Sequence, residues 1–137
     1  MKITITGLPA EKMRYPGTHV DYYDRGPHAC IDVIRQDDPL HEYLLAIAAL
    51  VKYVLIKARG ISIDEIERFD KAHGTDLASS DPNAPYYFEQ QFASIIEHLV
   101  CNELGLKYHE YKASINPDFF SCKPQPNWSI LKGAVNE

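Results

Sequence analysis

The sequence is poor in cysteine and contains no CxxC pair. Cys30, Cys101 and Cys122 are far apart, and their number is odd. That spacing excludes a zinc knuckle and a thioredoxin-like motif, and it suggests three reduced thiols in a cytoplasmic protein. No basic run or stripe is present, and the net charge is −5 over 137 residues, which argues against nucleic acid as a partner. The segment MKITITGLPAEK lacks the long apolar stretch of a signal peptide. No apolar run reaches the roughly 20 residues that span a bilayer. The most apolar one, Tyr43 to Ile56, is interrupted by Lys52, so no membrane association is expected. There is no glycine-rich phosphate loop, no GxSxG and no HExxH. Nor is there an internal repeat or low-complexity tract.

What remains is ordinary globular material: 45% hydrophobic and 24% charged residues, enough for one hydrophobic core. The reading is a single α+β domain over residues 1–115, with two or three antiparallel strands packed on three helices, followed by a proline-rich C-terminal arm over 116–137. Lys2 to Thr6 alternates and reads as a strand. Gly7 to Pro27 carries three glycines and three prolines and reads as mostly loop. Ala29 to Ile34 alternates again and is expected to run antiparallel to the first strand.

Asp38-Pro39 is a helix start, because Asp38 can cap and proline at the first helical position loses no bonded N–H. Gly60 supplies a left-handed stop, which predicts a helix over 39–59. Its interior, LLAIAALVKYVLI, is apolar all round, the pattern of a central buried helix. Ser62 and Glu65 form a capping box, with Ile61 and Ile66 at staple spacing, opening a short helix to about His73. Gly74 to Pro85 reads as loop. A third helix is expected from about Pro85 to Leu104, with Phe88, Phe92, Ile95, Ile96 and Leu99 as its apolar stripe. Leu106 to Tyr111 reads as a third strand. The arm would lie along the body through Phe119, Phe120 and Trp128, or stay loosely ordered.

Chemistry is sparse. His98 and Cys101 share a helical spacing, a weak signal for a thiol nucleophile with a base. His41, Glu89, Glu97 and His98 could in principle bridge helices as a metal site, although adjacent His–Glu pairs on a helix diverge by about 100°. Tyr22 and Tyr23, and Tyr86 with Tyr87, could stack on a flat ligand. Lys52 is the only charged residue between Glu42 and Lys57. A buried ammonium there requires an acidic partner, and Glu97 is the first choice.

The order RYPGTHVDYY, a buried helix, IERFD and DPNAPYYFEQQFASIIEHLVCNELGL resembles a family of small proteins common in phages and bacterial prophages, over roughly Ile3 to Tyr111. In that family the buried helix carries HExxE, and the third helix opens with PYxxEH followed by a later Glu, a zincin-like set. The first motif falls on Ala48, Ala49 and Lys52. The second falls on Pro85, Tyr86, Glu89 and Gln90, with the later Glu at Glu97. Asp70, Glu89 and Glu97 are retained. Methyl and ammonium groups cannot coordinate a cation, so no metal and no cofactor is expected here. The resemblance therefore implies a non-catalytic, phage-type accessory or binding protein with a decayed or repurposed metal-hydrolase-like site. The candidate ligand-binding residues are Lys52, Asp70, Tyr86, Glu89, Gln90, Glu97, Arg14 and Tyr22. The alternatives are a small metal-dependent hydrolase and a small-ligand sequestering module. The partner would be a small molecule or another protein, and self-association is left open.

Overall fold

The computed structural model describes residues 2–15, 17–73, 81–115 and 128–131. Three strands, β1 (Lys2–Leu8), β2 (Val20–Arg25) and β3 (His28–Ile34), form a sheet in the order β1-β3-β2. Among the described residues four α-helices follow: α1 (Pro39–Ala58), α2 (Ile63–His73), α3 (Tyr87–Glu103) and α4 (Tyr108–Ile115). The fold is α+β.

The local signals are realised closely. The Asp38 carboxylate accepts from the Leu40 N–H at 2.9 Å, and Pro39 opens α1. Gly60 takes φ 69° directly after the helix, and Gly105 takes φ 75° after α3. The Ser62 hydroxyl accepts from the Glu65 N–H at 3.3 Å, and Ile61 and Ile66 meet in one apolar cluster.

The sheet differs from the expected antiparallel arrangement. β1 pairs with β3 in parallel, Ile3 opposite Ala29 and Ile5 opposite Ile31, and only β2 is antiparallel to β3. The strand β2 lies in the stretch expected to be loop. Its Val20 and Tyr22 alternate with Asp21 and Tyr23, and the two-residue Gly26–Pro27 turn, with Gly26 at φ 59°, closes the hairpin. Leu106 to Tyr111, expected as a strand, instead enters α4. Tyr108, Tyr111, Lys112 and Ile115 recur at helical spacing, and the first two are buried.

α1 is central. Leu45, Ala49 and Tyr53 pack on Ala29, Ile31 and Val33 of the sheet, while Leu44 meets Cys101, Tyr108 and Tyr111. Ile56 lies in one cluster with Tyr86, so α1 and α3 run antiparallel. Among the described residues α1 is the one helix long and apolar enough to cross a membrane, and here it forms the middle of the fold. It is not buried all round, because Tyr43 and Val54 face outward.

The apolar stripe of α3 also needs correction. Phe88 is 63% exposed and Leu99 47%, whereas Glu89, Gln91, Ala93, Ile95, Glu97 and Cys101 are buried. The inner face of α3 is thus partly polar, which is what a site requires. A short 3-10 turn, Trp128–Leu131, lies against α3. Phe119, Phe120 and Cys122 lie outside the described residues.

Candidate functional site

A cavity of about 290 Å³ opens between α1, α2, α3 and the loop that leads into β2. Three helical stripes line it: Leu45, Ala48, Ala49 and Lys52 of α1; Ile63, Ile66, Glu67 and Asp70 of α2; and Gln90, Ala93, Ser94 and Glu97 of α3, with Tyr86 just before α3. Each set repeats at three, four and seven residues, so each forms one face of its helix. The space exists because the facing positions are small. Ala48, Ala49, Ala93 and Ser94 leave a gap that larger side chains would close.

At one end, the Lys52 ammonium lies 4.2 Å from the Tyr86 ring centroid and 5.3 Å from that of Tyr22. The Tyr86 hydroxyl donates to Asp70. Burial raises the Asp70 pKa above its ordinary value, opposed by the Tyr86 hydrogen bond and the Lys52 charge. Burial likewise pushes the Tyr22 and Tyr86 hydroxyls well above the usual phenol range. Both phenols stay neutral, with the Tyr86 hydrogen bond already given to Asp70. The Thr18 hydroxyl also borders the cavity; it is buried and has no hydrogen-bond partner among the described residues.

At the other end sits Glu97, 2% exposed. Its carboxylate accepts from the Tyr111 hydroxyl at 2.7 Å and from the Lys112 ammonium at 2.9 Å. The cation expected from Lys52 therefore comes from α4. Lys52 stands over the rings of Tyr86 and Tyr22, and its charge favours the ionised form of Asp70.

Of the sequence-derived candidates, Lys52, Asp70, Tyr86, Gln90, Glu97 and Tyr22 border this one cavity. Arg14 does not line it. Arg14 clamps its rim, pairing with Asp21 at 2.5 Å and reaching Glu67 at 3.4 Å while lying over the Tyr23 ring. Glu89 is turned away and pairs with Arg59. Tyr87 is also outside, edge-on to Phe88.

The alternative metal set does not converge. Glu89 and Glu97 are eight residues apart on α3, about 12 Å along its axis. His41 contacts Ser114 and the Tyr111 ring, and His98 stacks on Tyr108 at 4.0 Å. Among the described residues no three His, Cys, Asp or Glu side chains are grouped to hold a metal ion. Cys101 is fully buried, which raises its pKa, and its thiol donates to the Leu106 carbonyl at 3.7 Å.

Sequence reasoning missed Thr18, Glu67, Ser94 and Lys112. Lys112 was findable, since the helical period of Tyr108, Tyr111, Lys112 and Ile115 is visible in the sequence. Thr18 carries no such signal, because its place depends on how the loop folds over α1. No protein-family model, no curated protein and no solved structure matches this chain.

Proposed function

We propose that this chain is a non-catalytic binding protein for a small molecule, of the phage-type accessory kind, in which a metal-hydrolase-like site has been rebuilt as a pocket. One observation carries the reading: the cavity of about 290 Å³ is bordered by most positions of the resembled family's zincin-like set, here Ala48, Ala49, Lys52, Gln90 and Glu97, while Glu89 of that set pairs with Arg59 outside it. Its volume is close to the lower end of small-ligand pockets, about 300 Å³. Polar groups stand at both ends, with an alanine-lined waist between. Asp70 and Glu97 are each held by named partners, which favours fixed recognition over proton transfer. A cytoplasmic location belongs to the same proposal, supported by the free thiols of Cys30 and Cys101.

A thermal-shift screen of small polar metabolites tests it. A ligand should raise the melting temperature in a concentration-dependent way. The same compound should have no effect on Ala48→Phe, which fills the cavity. An equal shift in both proteins would place binding elsewhere and end the proposal.

A further inference from the structure

β1 is an edge strand whose outer side no described element covers, because the sheet order β1-β3-β2 puts β2 and the cavity beyond β3. Lys2 to Thr6 are all exposed, and only Gly7 and Leu8 are partly buried. An open, regular strand of this length is a pairing template that soluble proteins normally blunt with a proline, a bulge or inward charges. β1 has no proline, bulge or inward charge, and its one charged side chain, Lys2, stands at its end. Its register with β3 is unbroken from Lys2 to Leu8.

The side chains make the edge stickier. Residues opposite each other in a sheet share a face. Ile3 and Ile5 sit opposite Ala29 and Ile31, so they project on the same side as the core, yet remain 46% and 44% exposed. α1 covers β3 and β2 and approaches β1 at its Gly7 end, where Glu42 lies, leaving Ile3 and Ile5 exposed. On α1, Tyr43 and Lys52 are nine residues apart, which places them about 180° apart. Exposed Tyr43 and Val54 thus lie on the side of α1 away from the cavity.

We infer that β1 pairs with β1 of a second copy of this chain, antiparallel about a two-fold axis, joining two three-stranded sheets into one of six strands. A two-fold at Thr4 is the register that sets both isoleucines of one copy, Ile3 and Ile5, against those of the other. Thr4 meets Thr4 of the other copy, Ile3 meets Ile5 and Lys2 meets Thr6. Four isoleucines then cluster over the new seam, and the central Thr–Thr pair is a favourable cross-strand contact. No two like charges face each other across the strand pair, as its only charged side chain, Lys2, lies opposite a threonine. This self-complementarity favours a second copy over an unrelated strand.

The full-length protein tests this by sedimentation across a wide concentration range. The expected species is twice the 15.6 kDa chain mass. Ile5→Glu should convert it to a monomer with unchanged circular dichroism, since Ile5 is already exposed. A wild-type protein that is monomeric throughout, or an Ile5→Glu protein that stays dimeric and folded, overturns the inference. The register is tested by crosslinking in a Cys30→Ser background, which is needed because Thr4 lies opposite Cys30 within the chain. Oxidised Thr4→Cys should run as a covalent dimer and Thr6→Cys as a monomer. Efficient coupling through Thr6→Cys, or none through Thr4→Cys, overturns the register. These readouts do not depend on ligand binding, so they stand or fall apart from the proposed pocket.

Discussion

The ammonium of Lys52 sits 4.2 Å from the centre of the Tyr86 ring, while the hydroxyl of the same ring donates to Asp70. One tyrosine thus links a cation on α1 to a carboxylate on α2. The arrangement gives an ammonium in an apolar helix both a ring face and a nearby carboxylate.

Lys52→Met should therefore destabilise by about 0.5–2 kcal/mol, the range of a cation–π contact. The loss should be partly recovered in Lys52→Met with Asp70→Asn, because the second change removes the carboxylate that had lost its neighbouring cation. Paired with Glu97→Gln, the Lys52 change should be additive within about 0.5 kcal/mol. Denaturant unfolding of the two double-mutant cycles checks both. Coupling to Glu97 and none to Asp70 would contradict the observed partners.

Glu97 should depend on α4. Lys112→Met leaves a buried carboxylate without its cation and is expected to cost about 3–5 kcal/mol. Tyr111→Phe removes one neutral donor at 2.7 Å and should cost about 1–3 kcal/mol. Chemical denaturation of the two variants should rank them in that order, and the reverse order would show that packing of Lys112 matters more than its charge.

His98 gives the protein a pH dependence of definite sign. Burial lowers its pKa below 6.5, and the nearby His109 charge adds to this against an opposing effect of Glu97. The unfolded chain therefore takes up the proton first. The contribution of neutral His98 is complete above pH 6.5 and is lost as pH falls through the lower folded-state pKa. His98→Phe keeps a ring to stack on Tyr108 and should flatten the melting-temperature slope below neutral pH. An unchanged slope would assign it to other groups.

Zinc should not be a structural element. Purified protein should contain no stoichiometric zinc by elemental analysis, and EDTA should leave the melting temperature unchanged. Stoichiometric zinc that disappears in Glu97→Ala would instead revive the hydrolase reading.

The sequence by itself determined what depends on contacts within one helical turn. Asp38-Pro39, Ser62 with Glu65, Gly60 and Gly105 fix helix ends because caps and left-handed stops are satisfied by neighbouring backbone groups. The singular charge of Lys52 likewise marked the place of the cavity, since a lone cation in an apolar helix needs a special environment. Tertiary structure alone decided the rest. Whether β1 runs parallel or antiparallel to β3 leaves no trace in an alternating pattern. Phe88 and Leu99 are exposed while Glu89 and Glu97 are buried, because α3 presents to its neighbours the side that carries their partners, Arg59, Tyr111 and Lys112. Which cation neutralises Glu97 was settled by where α4 docks. Hydrophobic period tells a helix to bury a face, but the pairing of charges within that face is fixed by distances between segments far apart in the chain.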